Sequence, residues 1–489
     1  MGEIRKNSIA KNIIHLFYST AISSALNAIA LIVLASYLQS HHYGLFSVAL
    51  ALAMIMGYFT DAGLSEIVLR EGSKKEVNIS VLISSYIKMR GVLLVITFVS
   101  GFFLIHLSNS GNKELIQTTY YLIIPMVTGV ALQSIGITFF QLRERMEFSG
   151  LIRIVSAVCL VSTLALGIYL HLNPFLITVL YGMSYLIAGA FAIILLMKNI
   201  KLNLKDSFHK GLLQNLGSFT VGGLLFVMLP HLGPILLEKT ISLKEVGLFA
   251  IAYRIPQALQ QIPFIVAGAY YPVLFKAFNN DLRDEHLKHL LFQIKMMAIV
   301  GIMMTIPFFH LSGFLITILF GEEWADAAKP LKVLSVLLLL QSISIALGDG
   351  LTTSRRQFHR MVVQAIGLVA GIVFYILLSR AYGVIGAAYT GGIIEVITLL
   401  GFWLCTPNRW VIAKKTILPY MIFFILTLAG TDLFLNEWQF LAGAVNILLV
   451  SSLFYLDKEL RGKISSFIQS KRKRKTWEVE KNQGVHHGL

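Results

Sequence analysis

The sequence predicts an all-α polytopic membrane protein of about 14 transmembrane helices, arranged as two parallel six-helix repeats with two C-terminal helices added. Three observations predict it. Apolar runs of membrane-crossing length recur along nearly the whole chain, Lys and Arg alternate between dense and sparse from loop to loop, and short motifs return in the same order 203 to 210 positions later.

Of 489 residues, 56% are apolar and 13% charged, too little polar side chain to cover a water-soluble fold of this size. Lipid must cover it instead. Stretches such as 91–107 and 299–320 approach or exceed the roughly 20 residues that cross a bilayer as helix. Unpaired peptide groups in hydrocarbon are costly, so the spans must be helices or a closed barrel, and continuous apolar runs without alternation exclude the barrel. The expected helices, numbered 1 to 14, cover 12–38, 44–62, 81–107, 115–140, 150–170, 174–197, 212–237, 245–275, 290–320, 330–352, 361–380, 383–406, 411–434 and 439–456. Helix 1 follows a basic start but is too long for a signal-peptide core and ends in no small-residue cleavage site. Cys159 and Cys405 lie in apolar segments and give neither a disulfide framework nor a metal site.

A net charge of +16 would suit nucleic acid if the cations were clustered. They are distributed as topology instead. With the N-terminus placed in the cytoplasm, thirty of the 41 Lys and Arg fall in inside segments and five, Lys113, Lys239, Lys244, Lys329 and Arg380, fall outside. Both termini are therefore expected on the cytoplasmic side of a cytoplasmic membrane. The tail carries five consecutive cations over 471–475, which would sit against anionic lipid or act as a solvated topology signal.

The repeat is visible within the chain. Gly44-Leu45-Phe46 at the start of helix 2 returns as Gly247-Leu248-Phe249 at the start of helix 8. Ile87-Lys88-Met89 returns as Ile294-Lys295-Met296, and Arg145-Met146-Glu147-Phe148 as Arg355-Arg356-Gln357-Phe358. Six helices per unit, an even number, make the repeat parallel, with its pseudo-two-fold axis along the membrane normal and a substrate site between the halves. The expected units are lobes over 1–205 and 206–408, two further helices over 409–456 and a basic cytoplasmic tail over 457–489.

Six plus six plus two helices, the Tyr43-Gly44-Leu45-Phe46 start of helix 2, and Phe59-Thr60-Asp61-Ala62-Gly63-Leu64 leading to Arg70 together resemble the Wzx-type polysaccharide flippases. These share a superfamily with the lipid II flippase and the multidrug and toxin extruders. The resemblance covers essentially the full chain. It implies export-direction flipping of an undecaprenyl-diphosphate-linked oligosaccharide by alternating access, with the membrane, the lipid-linked substrate and H+ or Na+ as partners. It also implies a polysaccharide polymerase and glycosyltransferases acting on the same glycan. By the same analogy, helices 13 and 14 would hold the polyprenyl tail.

Flipping a lipid makes and breaks no covalent bond. The sequence holds no catalytic motif and no phosphate-binding Gly-x-x-x-x-Gly-Lys-Ser/Thr loop, so neither an enzyme nor a cofactor is expected. What the task needs is cationic and polar side chains facing a watery cavity. Arg254, two turns into helix 8, is the leading candidate for binding the diphosphate, the alternative being a structural or snorkelling arginine. Lys88, Arg90 and Lys295 are related by the repeat near the cytoplasmic starts of helices 3 and 9, where they serve either as a basic cavity mouth or as headgroup-level cations. Arg153 and Arg70 are further substrate-binding candidates, equally readable as topology signals. Glu395, mid-span in helix 12, is the deepest carboxylate, suited to couple an ion or to pair with an arginine. Asp61 and Asp349 are ion-coupling candidates that also suit local pairing. His231, between Pro230 and Pro234, marks an expected break in helix 7 that would serve gating. A multidrug or organic-cation antiporter, whose cavity should be acidic, and a non-transporting envelope-assembly scaffold remain as the other readings.

Overall fold

The structure, a computed structural model, describes residues 2–462 except 73, 75, 76, 110, 204, 206, 215, 436, 454–456, 458 and 460. The basic run over 471–475 lies outside the described residues. Among the described residues every regular element is helical, and ten helices are long and apolar enough to cross a membrane. Two of these, Gly2–Asp61 and Gln357–Cys405, are each two spans joined at a single residue of left-handed φ, Gln39 and Gly383. With the apolar helices Leu216–Leu237 and Gln439–Ser451, the second only 13 residues long, the described residues are roughly consistent with the fourteen spans expected. Glycine takes the left-handed region at little cost. Gln39, with φ 57° and ψ 173°, spends about 1 to 3 kcal/mol of strain. Neighbouring bonds hold it: Ser36 Oγ donates to the Phe320 carbonyl at 3.3 Å and Tyr37 Oη to the Leu172 carbonyl at 2.6 Å.

Three expected elements differ. Helix 8, expected as one span over 245–275 that Pro256 and Pro263 would kink, is two helices, Leu243–Leu259 and Gln261–Asn279, meeting at Gln260. The joint falls where Pro263 has no N–H to give the Leu259 carbonyl. Helix 9 starts earlier than expected, at Arg283, and is interrupted at Leu311 between Arg283–His310 and Ser312–Phe320, just past Pro307. Conversely, the break expected in helix 7 is absent, for Leu216–Leu237 runs through Pro230 and Pro234 as one helix. Gly233 has a packing reason instead: a Cβ there would lie 2.8 Å from the Phe249 ring and 3.2 Å from the Tyr375 hydroxyl.

The two repeats meet head to head at their shared motif. A Cβ on Gly44 would run into the Leu243 carbonyl, and a Cβ on Gly247 into the Ser40 carbonyl. Ser40 and Leu243 are separated by the same 203 positions as Gly44 and Gly247, so the contact is self-complementary, as a two-fold axis between helices 2 and 8 requires. A second equivalent pair lies deeper. Gln133 Nε2 donates to the Tyr185 carbonyl at 3.0 Å in the first half, and Gln341 Nε2 donates to Glu395 Oε1 at 2.9 Å in the second.

Because backbone rather than side chain blocks the space, Gly247→Ala should disfavour this closed end by the usual 1 to 3 kcal/mol of overpacking, a shift of roughly 5- to 150-fold towards a state in which the helices separate. The measurement is labelling of a Leu45→Cys reporter, buried here at 2% exposure, by a membrane-impermeant maleimide after both native cysteines are replaced. Labelling no faster than in the glycine protein would show that the contact does not open.

Helices 13 and 14, Leu418–Leu435 and Gln439–Ser451, dock on helices 9 and 10 through polar pairs that lipid could not satisfy. Asn446 Nδ2 donates to Thr431 Oγ1 at 3.1 Å, both face His310 Nε2 at 3.3 Å, and Lys332 bonds Asp432 at 2.9 Å.

Candidate functional site

Helix 8 carries the centre of the site. A capping box of Ser242 and Glu245 fixes its first turn, Gly247 draws it against helix 2, and two turns further on the same helix presents Arg254 to the opposite repeat. There Arg254 sits within electrostatic reach of Tyr43, Tyr181 and Tyr185 from the first half and of His231 and Tyr253 from the second. Its Nη1 donates to Gln257 Oε1 at 3.4 Å, its guanidinium lies within hydrogen-bonding reach of the Tyr43 hydroxyl, and among the described residues no carboxylate pairs with it. A cation inside a membrane protein normally finds a counter-ion. Here the surroundings are neutral phenols, packed into a wall in which Phe46 and Tyr181 lie 4.9 Å apart, Tyr181 and Tyr185 5.6 Å, and Tyr43 and Trp324 5.7 Å.

The adjacent Tyr253 also lines a cavity of about 150 Å3 formed by helices 7, 8, 10, 11 and 12. Glu395 lies in its wall with Gln341, Gln260, Gln364, Arg360 and Tyr375. Glu395 accepts one hydrogen bond from Gln341, and no described cation pairs with it. The cavity therefore offers a carboxylate and several amides to a small polar or cationic guest, one side chain along the helix from the unpaired Arg254.

The other candidates are distributed differently from the sequence expectation. Arg90, expected at a basic cavity mouth or at headgroup level, is 2% exposed and belongs to a buried network. Its Nη1 meets Asp61 Oδ1 at 2.7 Å, its Nη2 donates to the Ala131 carbonyl at 3.0 Å and to Ser134 Oγ, and Asp61 also accepts from Tyr86 Oη at 3.1 Å and Ser65 Oγ at 2.7 Å. Two residues named for separate roles are thus one ion pair, joined across helices 2 and 3. Lys295 is likewise neutralised, lying 2.8 Å from Asp457 and 3.0 Å from Glu459 in the segment after helix 14. Lys88, its repeat equivalent, is half-buried.

Arg70 contacts Glu71 at 3.2 Å and donates to the Gln214 carbonyl. Asp349 is buried and accepts from Gln293 Nε2 at 2.8 Å. Arg153 is half-buried, with a buried Nε that has no hydrogen-bond partner among the described residues. His231 and Pro230 stay close to the centre, His231 beside Arg254 and Pro230 in the cavity wall, while Pro234 lies one turn further along the unbroken helix. Sequence reasoning missed Arg360, counted as a topology signal, which reaches the cavity and donates to Thr352 Oγ1 at 2.9 Å. It also missed the tyrosine wall, although Tyr43 stood inside the quoted motif.

Comparison with known proteins gives the same architecture. A family model described as "Polysaccharide biosynthesis protein" matches residues 9–278. No curated protein sequence matches. Among solved structures, the lipid II flippase MurJ in an inward closed conformation superposes with TM-score 0.66 at 16% identity, covering 91% of this chain and 99% of that one. An inward-facing multidrug resistance MATE transporter of the MOP superfamily gives TM-score 0.66 at 14% identity, over 82% and 98%. A MOP superfamily transporter from Pyrococcus furiosus, whose binding pocket is described as reversed in polarity, gives 0.58 at 16%, over 84% and 96%.

Proposed function

Since the chain belongs to the polysaccharide biosynthesis protein family and has the fold of MOP-superfamily transporters, we propose that it flips a lipid-linked oligosaccharide, carried on undecaprenyl diphosphate, from the cytoplasmic to the outer leaflet of the cytoplasmic membrane. The observation that carries this reading is Arg254, a cation without a carboxylate partner at the junction of the repeats, facing phenol hydroxyls that can add hydrogen bonds to an anion. A diphosphate supplies the missing counter-charge, and guanidinium matches phosphate oxygens in paired geometry. An organic-cation cargo would meet like charge at that point.

In this reading the lobes over 1–205 and 206–408 rock about the Gly44–Gly247 crossing, with both termini cytoplasmic. Glu395 is the coupling residue, taking up H+ or Na+ in the cavity next to the substrate site. Arg90, Asp61 and Lys295 hold the lobes in shape rather than touching cargo.

The experiment is transport in proteoliposomes. Wild-type protein should move a short-chain polyprenyl-diphosphate oligosaccharide faster under an imposed H+ or Na+ gradient. Glu395→Gln, which preserves a hydrogen-bonding partner for Gln341 but cannot ionise, should flip the lipid at a rate independent of both gradients. Export of an organic cation with no lipid flipping would overturn the assignment, as would unaltered gradient dependence in Glu395→Gln for the coupling role.

A further inference from the structure

At the bundle end that holds the Gly44–Gly247 crossing, three side chains that the transport reading leaves unused converge. His41 and His42 lie in the turn after the Gln39 break, and Glu114 lies in the first turn of helix 4. His41 Nε2 is 3.7 Å from one Glu114 oxygen and His42 Nδ1 is 3.6 Å from the other. All three groups bring a ligand atom within 4.8 Å of one another.

As an ion pair this arrangement achieves little. The side chains are 51%, 41% and 54% exposed, and exposed pairs are worth at most about 1 kcal/mol. Two imidazoliums side by side on one carboxylate would also repel each other, with ring centroids 5.3 Å apart. As a metal site the spacing is apt. A tetrahedral zinc ion with bonds of about 2.1 Å sets its ligand atoms about 3.4 Å apart; one atom from each residue lies within 4.8 Å of the others, a spacing that small rotations of these exposed side chains can close. Two imidazole nitrogens and one carboxylate suit Zn2+ and its late first-row neighbours rather than the oxygen-seeking Mg2+ or Ca2+. The fourth position faces a pocket of about 220 Å3 lined by His42 and Glu114 with Gln117, Thr118 and Asn173, which has room for a water or an exogenous donor.

We propose that His41, His42 and Glu114 form a divalent transition-metal site of the Zn2+ class. Its place on the outer face rests on the topology proposed above; the binding itself does not. Bound metal ties the turn before helix 2, two and three residues from Gly44, to the start of helix 4. It therefore stiffens the strained corner at Gln39.

The test is isothermal titration of the chelator-treated, full-length protein in detergent with ZnCl2 at neutral pH, comparing wild type with His41→Ala/His42→Ala and with Glu114→Gln. All three share His486 and His487 in the tail, so the site is read as the difference between them. Wild type should bind one more Zn2+ than the double variant, Glu114→Gln should bind that ion at least about tenfold more weakly, and zinc should raise the melting temperature of wild type alone. An equal concentration of Mg2+ should displace none of it. Because the three side chains are exposed, the metal-free melting curves should coincide. Equal stoichiometry and affinity in all three proteins would overturn the site, and displacement by Mg2+ would overturn the metal class.

Discussion

Arg254→Ala should slow flipping of the lipid-linked oligosaccharide by about ten- to a hundredfold, with protein abundance in the membrane unchanged. A hydrogen bond to a charged group is worth about 1.5 to 3 kcal/mol, and each 1.4 kcal/mol is a factor of ten. The substitution leaves no described carboxylate behind in need of a partner, since none pairs with Arg254, so stability should change little while transport falls. Arg254→Lys keeps the charge but not the planar fork and should lie between the two. The readout in cells is lipid-linked oligosaccharide accumulating in the inner leaflet, extracted and weighed against the mature surface polymer. Full transport in Arg254→Ala would remove the residue that carries the functional reading.

The opposite pattern is expected of Asp61→Ala. Arg90 is buried and Asp61 is its counter-ion at 2.7 Å, and removing one partner of a buried pair typically costs about 3 to 5 kcal/mol because the other charge is stranded. The variant should lose that much stability, read as a lower melting temperature in detergent and a lower yield in membranes. Adding Arg90→Leu should restore most of it, since the pair as a unit contributes far less than its separation costs. If the double variant is as unstable as Asp61→Ala alone, the damage comes from the Ser65 and Tyr86 hydrogen bonds to Asp61 and not from the charge.

These two arginines mark how far the sequence reaches. The fourteen spans and the repeat are legible because both are carried by local patterns, apolar length and short motifs, that need no knowledge of neighbours. Both Arg90 and Arg254 can be found as cations inside spans, but whether a carboxylate meets them is decided by other helices. Asp61 lies 29 positions before Arg90, and the partners of Lys295 lie more than 160 positions after it. The helix 7 error has the same origin. Gly233 between two prolines reads as a hinge, yet the glycine is required by the Phe249 and Tyr375 side chains packed against it. The left-handed turn at Gln39 leaves no local signal, because Phe320 and Leu172, which help hold it, are remote in the chain. The tyrosine wall is silent for another reason: a Tyr in a membrane helix is unremarkable until three of them surround one cation.

The paired glutamine bonds have a consequence for how two halves of common origin can behave differently. In the first half Gln133 reaches a main-chain carbonyl, a group that neither gains nor loses a proton in water. In the second, Gln341 reaches the Glu395 side chain, whose charge can change. The same strut therefore ends on a fixed anchor in one repeat and on a chemical variable in the other. Duplication supplied the symmetry and a single carboxylate broke it, so that in the coupling role proposed for Glu395 one half would sense ions and the other would only follow.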